Sequence, residues 1–64
     1  MIQINGKEYQ FDRKKLTSVL EDFEYDRRLI AVELNEEIIP KANYDDTVLK
    51  SGDVVEIVSF VGGG

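Results

Sequence analysis

The sequence contains no cysteine and no histidine among its 64 residues. That excludes disulfides, a thiolate nucleophile, an imidazole base and the commonest transition-metal ligands together. Carboxylates are present, but they are scattered through polar positions. No pair lies in an apolar neighbourhood that would drive two pKa values apart. Catalysis by this chain alone is not expected, nor is a resident metal or cofactor. No apolar run is long enough to cross a bilayer. The opening residues, Met1-Ile2-Gln3-Ile4-Asn5, lack the basic-then-apolar pattern of a signal peptide. The expectation is a soluble, cytoplasmic protein. Basic residues are in the minority, eight against thirteen acidic ones, for a formal charge of −5. Nucleic acids and anionic membranes are both bound through basic residues, so neither is an expected partner. The clusters Arg13-Lys14-Lys15 and Arg27-Arg28 read as solvated surface, diluted by Asp12, Glu21, Asp22, Glu24 and Asp26.

What is present is one small, foldable domain. The hydrophobic fraction of 42% argues against disorder, and the length allows no second domain. Ile2 and Ile4 alternate with Gln3 and Asn5, the period of a half-buried strand. Asn5-Gly6 is a two-residue hairpin signal, because both central positions need positive φ. Glu8-Tyr9-Gln10-Phe11 alternates again, so residues 2–11 are expected to form a hairpin with Tyr9 and Phe11 inward. Leu16, Val19, Leu20 and Phe23 then mark one face of a helix. Asp12 is a capping residue by type, but the helix could equally begin near Leu16. Leu29 to Leu34 reads as a strand with Ile30, Val32 and Leu34 inward and Glu33 wet. Asn35-Glu36-Glu37 is a turn, and Ile38-Ile39 a short strand stopped by Pro40. Residues 41–50 are less regular, with room for a helical or 3₁₀ turn and with Tyr44, Val48 and Leu49 as buried anchors. Val54 to Val61 is the last strand, rich in β-branched residues.

The last strand leads into Gly62-Gly63-Gly64. These residues have no side chains to bury, and Gly loses more freedom on ordering than any other residue. The expected organisation is a domain over residues 1–61 and a mobile tail over 62–64. The tail can reach about 10 Å. Without Cβ atoms it can thread a narrow channel and leave the terminal carbonyl carbon uncrowded. Within the strand, Val55 and Ile57 face the core. Val58 and Phe60 share the face of Glu56. Beside the glycines they form either a docking patch or a surface covered by a neighbouring loop.

One helix and one sheet each bury a single apolar face and so pack in two layers. A sheet clasping one helix is the β-grasp, or ubiquitin-like, arrangement, an α+β fold with a mixed sheet of four to five strands. The pattern permits it among other small α+β folds. Four segments in order carry a closer resemblance: Ile30-Ala31-Val32-Glu33-Leu34-Asn35, Glu37-Ile38-Ile39-Pro40-Lys41, Gly52-Asp53-Val54-Val55-Glu56-Ile57-Val58, and Phe60-Val61-Gly62-Gly63-Gly64. Together they resemble the ThiS family, the sulfur carriers of thiamine biosynthesis. Lys14-Lys15 departs from the family by standing where a capping residue such as Thr is expected before the helix.

The resemblance implies a β-grasp fold with the first and last strands side by side. It also implies a function centred on Gly64. A ubiquitin-activating-type adenylating enzyme would activate the Gly64 carboxylate with ATP, and the carrier itself would bind no cofactor. A sulfur-transfer protein would convert the acyl-adenylate to a thiocarboxylate, and thiazole synthase would use that sulfur. Gly62 and Gly63 would pass into the partners' active sites, and Val58, Phe60 and Val61 would seat the body against them. Two relatives of this reading share the Gly-Gly end. One is the carrier that supplies sulfur to molybdopterin, whose members tend to be longer and to carry proline before the glycines, unlike Phe60-Val61. The other is a protein modifier joined through Gly64 to lysine.

Overall fold

Two-residue turns at Asn5-Gly6 and Asn35-Glu36 organise the sheet. Both central residues of each turn have positive φ, 51° and 82° in the first and 51° and 71° in the second. That geometry matches the right-handed twist of the flanking strands. The computed structural model describes residues 1–60. The first turn joins β1 (Ile2–Ile4) to β2 (Lys7–Tyr9), antiparallel with Ile4 opposite Lys7. The second joins β4 (Ile30–Leu34) to β5 (Glu37–Ile38), with Leu34 opposite Glu37. Glu36 is an L residue in a left-handed conformation that favours glycine. Glu36→Gly is therefore expected to raise unfolding stability by about 0.5–1 kcal/mol, readable as a higher urea midpoint at unchanged slope.

The remaining elements are β3 (Arg13–Lys15), α1 (Leu16–Asp22), β6 (Val48–Lys50) and β7 (Val54–Ser59). β7 lies between β1 and β4, parallel to the first and antiparallel to the second, in a mixed sheet ordered β2-β1-β7-β4-β5. Helix α1 packs Leu16, Val19 and Leu20 against Ile2, Ile4, Ile30, Val32, Val55 and Ile57. This is the β-grasp arrangement, with first and last strands adjacent. Tyr9, Phe11 and Phe23 close one margin of the core. Tyr9 stacks on Phe11 with ring centroids 5.7 Å apart and meets Phe23 at 5.3 Å. Leu34 and Val48, expected inward, are half-buried.

Some expectations are corrected, and others that the sequence left open are decided. Arg13-Lys14-Lys15 is a strand, not merely solvated surface. It pairs with β6 in a separate two-stranded sheet, Lys14 opposite Leu49. Lys14 reaches back over Phe11, 4.5 Å from the ring centroid, and pairs with Asp22 at 2.9 Å. The helix starts at Leu16, with Lys15 in the capping position and no side-chain cap. The Leu16 N–H donates to the Thr47 carbonyl at 3.0 Å, so the neighbouring segment satisfies one of the donors that the first turn of a helix leaves over. The helix ends with Glu24 at φ 61° and Tyr25 N–H donating to Leu20 O at 2.8 Å, a left-handed stop built without glycine. The stretch from Lys41 is a 3₁₀ helix, Lys41–Asp46, followed by β6. Its anchors Tyr44 and Leu49 are fully buried. The second short strand is Glu37–Ile38, one residue earlier than expected. The last strand ends at Ser59. The expected boundary at 61/62 and the tail lie outside the described residues.

Candidate functional site

β7 is the strand that leads toward the C-terminus, and two asparagines fix it on opposite sides. Asn5 donates its backbone N–H to Val55 O at 2.9 Å, and its Oδ1 accepts from Ile57 N–H at 2.7 Å. Asn35 donates its backbone N–H to Val54 O at 2.8 Å, and its Oδ1 accepts from Val54 N–H at 2.9 Å. Each asparagine sits in a turn, where its side chain reaches a backbone group that the strand ladder leaves over. Asn5 Nδ2 also donates to the Tyr25 hydroxyl at 3.1 Å, tying the hairpin to the segment after the helix.

Alternation along β7 buries Val55 and Ile57 and turns Val54, Glu56 and Val58 outward. Val58 is 55% exposed and Phe60 59%. No described loop covers them, so of the two sequence-level alternatives the structure leaves the open surface. Val58 stands opposite Ala31, and Phe60 N–H donates to Leu29 O at 2.7 Å. The outward face therefore carries a cross-strand apolar step of Leu29, Ala31, Val58 and Phe60. Ile38, 71% exposed, flanks it on β5. Val61, Gly62, Gly63 and Gly64, the other expected site residues, lie outside the described residues.

The Leu29 side of this step is held by charge. Asp26 caps a 3₁₀ turn over Arg27–Leu29. Its carboxylate accepts from Arg28 N–H at 3.0 Å, Arg28 Nε at 3.0 Å and the terminal guanidinium nitrogen at 2.7 Å. The guanidinium bonds foremost, then the backbone N–H, hold the Asp26 carboxyl down at about 2. Lys41 Nζ donates to the carbonyls of Arg27 at 2.8 Å and Ile30 at 2.6 Å. That ammonium joins the turn to the 3₁₀ helix that starts at Lys41, and it lies 5.7 Å from the Tyr44 ring centroid. Sequence reasoning left Leu29, Ala31 and Ile38 off the site. The alternation that turned Glu33 outward also turned out Leu29 and Ala31. Ile38 needed the register that places it opposite Glu33.

The outward face at the end of β7 thus carries Val58 and then Phe60, and Gly62-Gly63-Gly64 follow in the sequence. A family model described as the ThiS family matches residues 2–64. The chain belongs to the ThiS family. It is 39% identical over 66 residues to the sulfur carrier protein ThiS of Bacillus subtilis, with all of both chains covered. It is 42% identical over 62 residues to thiazole synthase of Paramagnetospirillum magneticum, covering 95% of this chain and 19% of that protein. Among solved structures it is similar to the thiamine biosynthesis protein ThiS of Geobacter metallireducens. That match has a TM-score of 0.77 at 31% identity, over 98% of this chain and 97% of the other. The likeness in fold thus extends over 98% of this chain. Among the described residues, no helix is long and apolar enough to cross a membrane.

Proposed function

We propose that this chain is a sulfur carrier of thiamine biosynthesis and not itself an enzyme. The observation that carries the reading is the exposed Leu29/Val58/Phe60 step at the end of β7, in a member of the ThiS family whose sequence goes on to Gly62-Gly63-Gly64. The Gly64 carboxylate is the reacting group. A terminal carboxylic acid has a pKa of about 3.5, so at neutral pH it is an anion and a poor electrophile. Transfer of AMP from ATP, with loss of pyrophosphate, supplies a leaving group. A sulfur nucleophile at the oxidation level of sulfide then attacks the carbonyl carbon, the C–O bond to AMP breaks, and AMP leaves to give a thiocarboxylate. The ATP belongs to the adenylating enzyme, and the carrier supplies no catalytic side chain. The absence of cysteine keeps the carrier from capturing its own activated end.

The partners are an adenylating enzyme, a sulfur-transfer protein and thiazole synthase, all reached in the cytoplasm. The similarity of this chain to one fifth of a thiazole synthase supports the last of these. Gly62 and Gly63 form the passage into each active site. Val58, Phe60 and Val61 seat the body. Phe60→Ala is expected to raise the KM for adenylation roughly tenfold, the loss of one aromatic anchor, with little change in folding because the ring is exposed. Unchanged adenylation kinetics would remove Phe60 from the docking surface.

The deciding measurement is mass spectrometry of the C-terminal peptide after incubation with ATP, an adenylating enzyme and a sulfur source. One sulfur in place of one oxygen is the expected product. A C-terminal peptide that gains no sulfur and is instead found joined through Gly64 to lysine amines would make the chain a protein modifier. A thiocarboxylated chain that supports molybdopterin formation but no thiazole formation would move it to the related carrier class.

A further inference from the structure

Glu33 and Glu56 stand directly opposite one another on β4 and β7, both on the outward face. Like charges in that position destabilise a sheet. Among the described residues neither forms an ion pair: the three pairs present join Lys14 to Asp22, Arg27 to Asp45 and Arg28 to Asp26. The two carboxylates border the apolar step, with Val58 and Ala31 next along the strands toward Phe60 and Ile38 opposite Glu33.

Distance makes this pair relevant to docking. Residues 61–64 reach at most about 14 Å beyond Phe60. An enzyme acting on Gly64 therefore cannot stand clear of the body, and its surface must cover the end of β7. A specific interface takes up about 800 Å² on each partner, a disc about 16 Å in radius. Glu56 lies four strand residues from Phe60, about 13 Å. A patch of that size centred on Phe60 on the outward face reaches the Glu33–Glu56 pair. Two unpaired carboxylates cannot be desolvated there without a large penalty.

We propose that the adenylating enzyme reads this pair with a basic side chain, an arginine or lysine set within an otherwise apolar contact and placed to bridge Glu33 and Glu56. This rests on the carrier reading and adds to it a specificity element. A second copy of this chain does not fit the same face, because it would set acid against acid. The cost of the like-charge pair in the free carrier is the counterpart of its use in the complex.

The test uses the full chain and its adenylating enzyme, after thiocarboxylate formation on the wild-type chain has been established by mass spectrometry. That first step stands or falls with the carrier reading, and the second with the charge pair. Binding of wild type and of the Glu33→Gln/Glu56→Gln double variant is measured at 50 and 300 mM salt, both concentrations being about those at which screening changes appreciably. The variant is expected to bind roughly tenfold or more weakly at low salt and to lose most of the salt dependence, while its thermal midpoint is unchanged or higher. Glu21→Gln, on the helix at the opposite side of the sheet, serves as the control and is expected to bind as wild type. Equal affinity of the double variant, or weakened affinity with the wild-type salt slope, overturns the proposal.

Discussion

A chain ending at Gly62 is expected to take up no sulfur. Removing Gly63 and Gly64 draws the reacting carboxylate back by about 7 Å, whereas misplacement of a reacting group by about 1 Å already lowers rates by about a hundredfold. The shortened carrier should still dock, because Leu29, Val58 and Phe60 are untouched. It should therefore compete with the full chain for the adenylating enzyme while giving no pyrophosphate release above background. That pairing of retained binding with lost turnover separates a reactive terminus from an idle one. A truncated chain that kept normal turnover would end the proposal for Gly64.

Leu49→Ala is expected to lower unfolding stability by about 2–5 kcal/mol, the range for removing a fully buried leucine side chain. Leu49 is fully buried on β6, opposite Lys14 of β3, and belongs to the same core as α1 and Tyr44. A domain of this length has a total stability of roughly 3–10 kcal/mol, so the substitution should remove between about a fifth of it and all of it. Urea denaturation followed by circular dichroism reads this directly. A loss below about 1 kcal/mol would mean that the small β3–β6 sheet is not part of the cooperative core.

The same small sheet marks where local sequence signals run out. Arg13-Lys14-Lys15 has no apolar alternation, and Val48-Leu49-Lys50 is too short to announce itself. They become strands because each supplies the other's ladder bonds, and because Thr47 O then receives the first helical N–H. Glu24 and Glu36 take left-handed conformations without being glycine, which composition cannot signal. In both places tertiary packing outweighs a local preference.

What the sequence determined by itself is what depends on near neighbours in the chain. The Asn5-Gly6 hairpin, the helical stripe from Leu16 to Phe23, and the alternation that puts Val55 and Ile57 inward and Val58 and Phe60 outward are set by turn chemistry and side-chain period. So is the chemical simplicity of the terminus, given by three glycines and the lack of Cys and His. What the tertiary structure alone decided is which strands are neighbours. Only the placement of β7 between β1 and β4 joins Leu29 and Ala31 to Val58 and Phe60 in one apolar step and sets Glu33 against Glu56. Between strands far apart in the sequence, such as β4 and β7, no turn sets the pairing, and it is fixed only when their apolar faces are buried together.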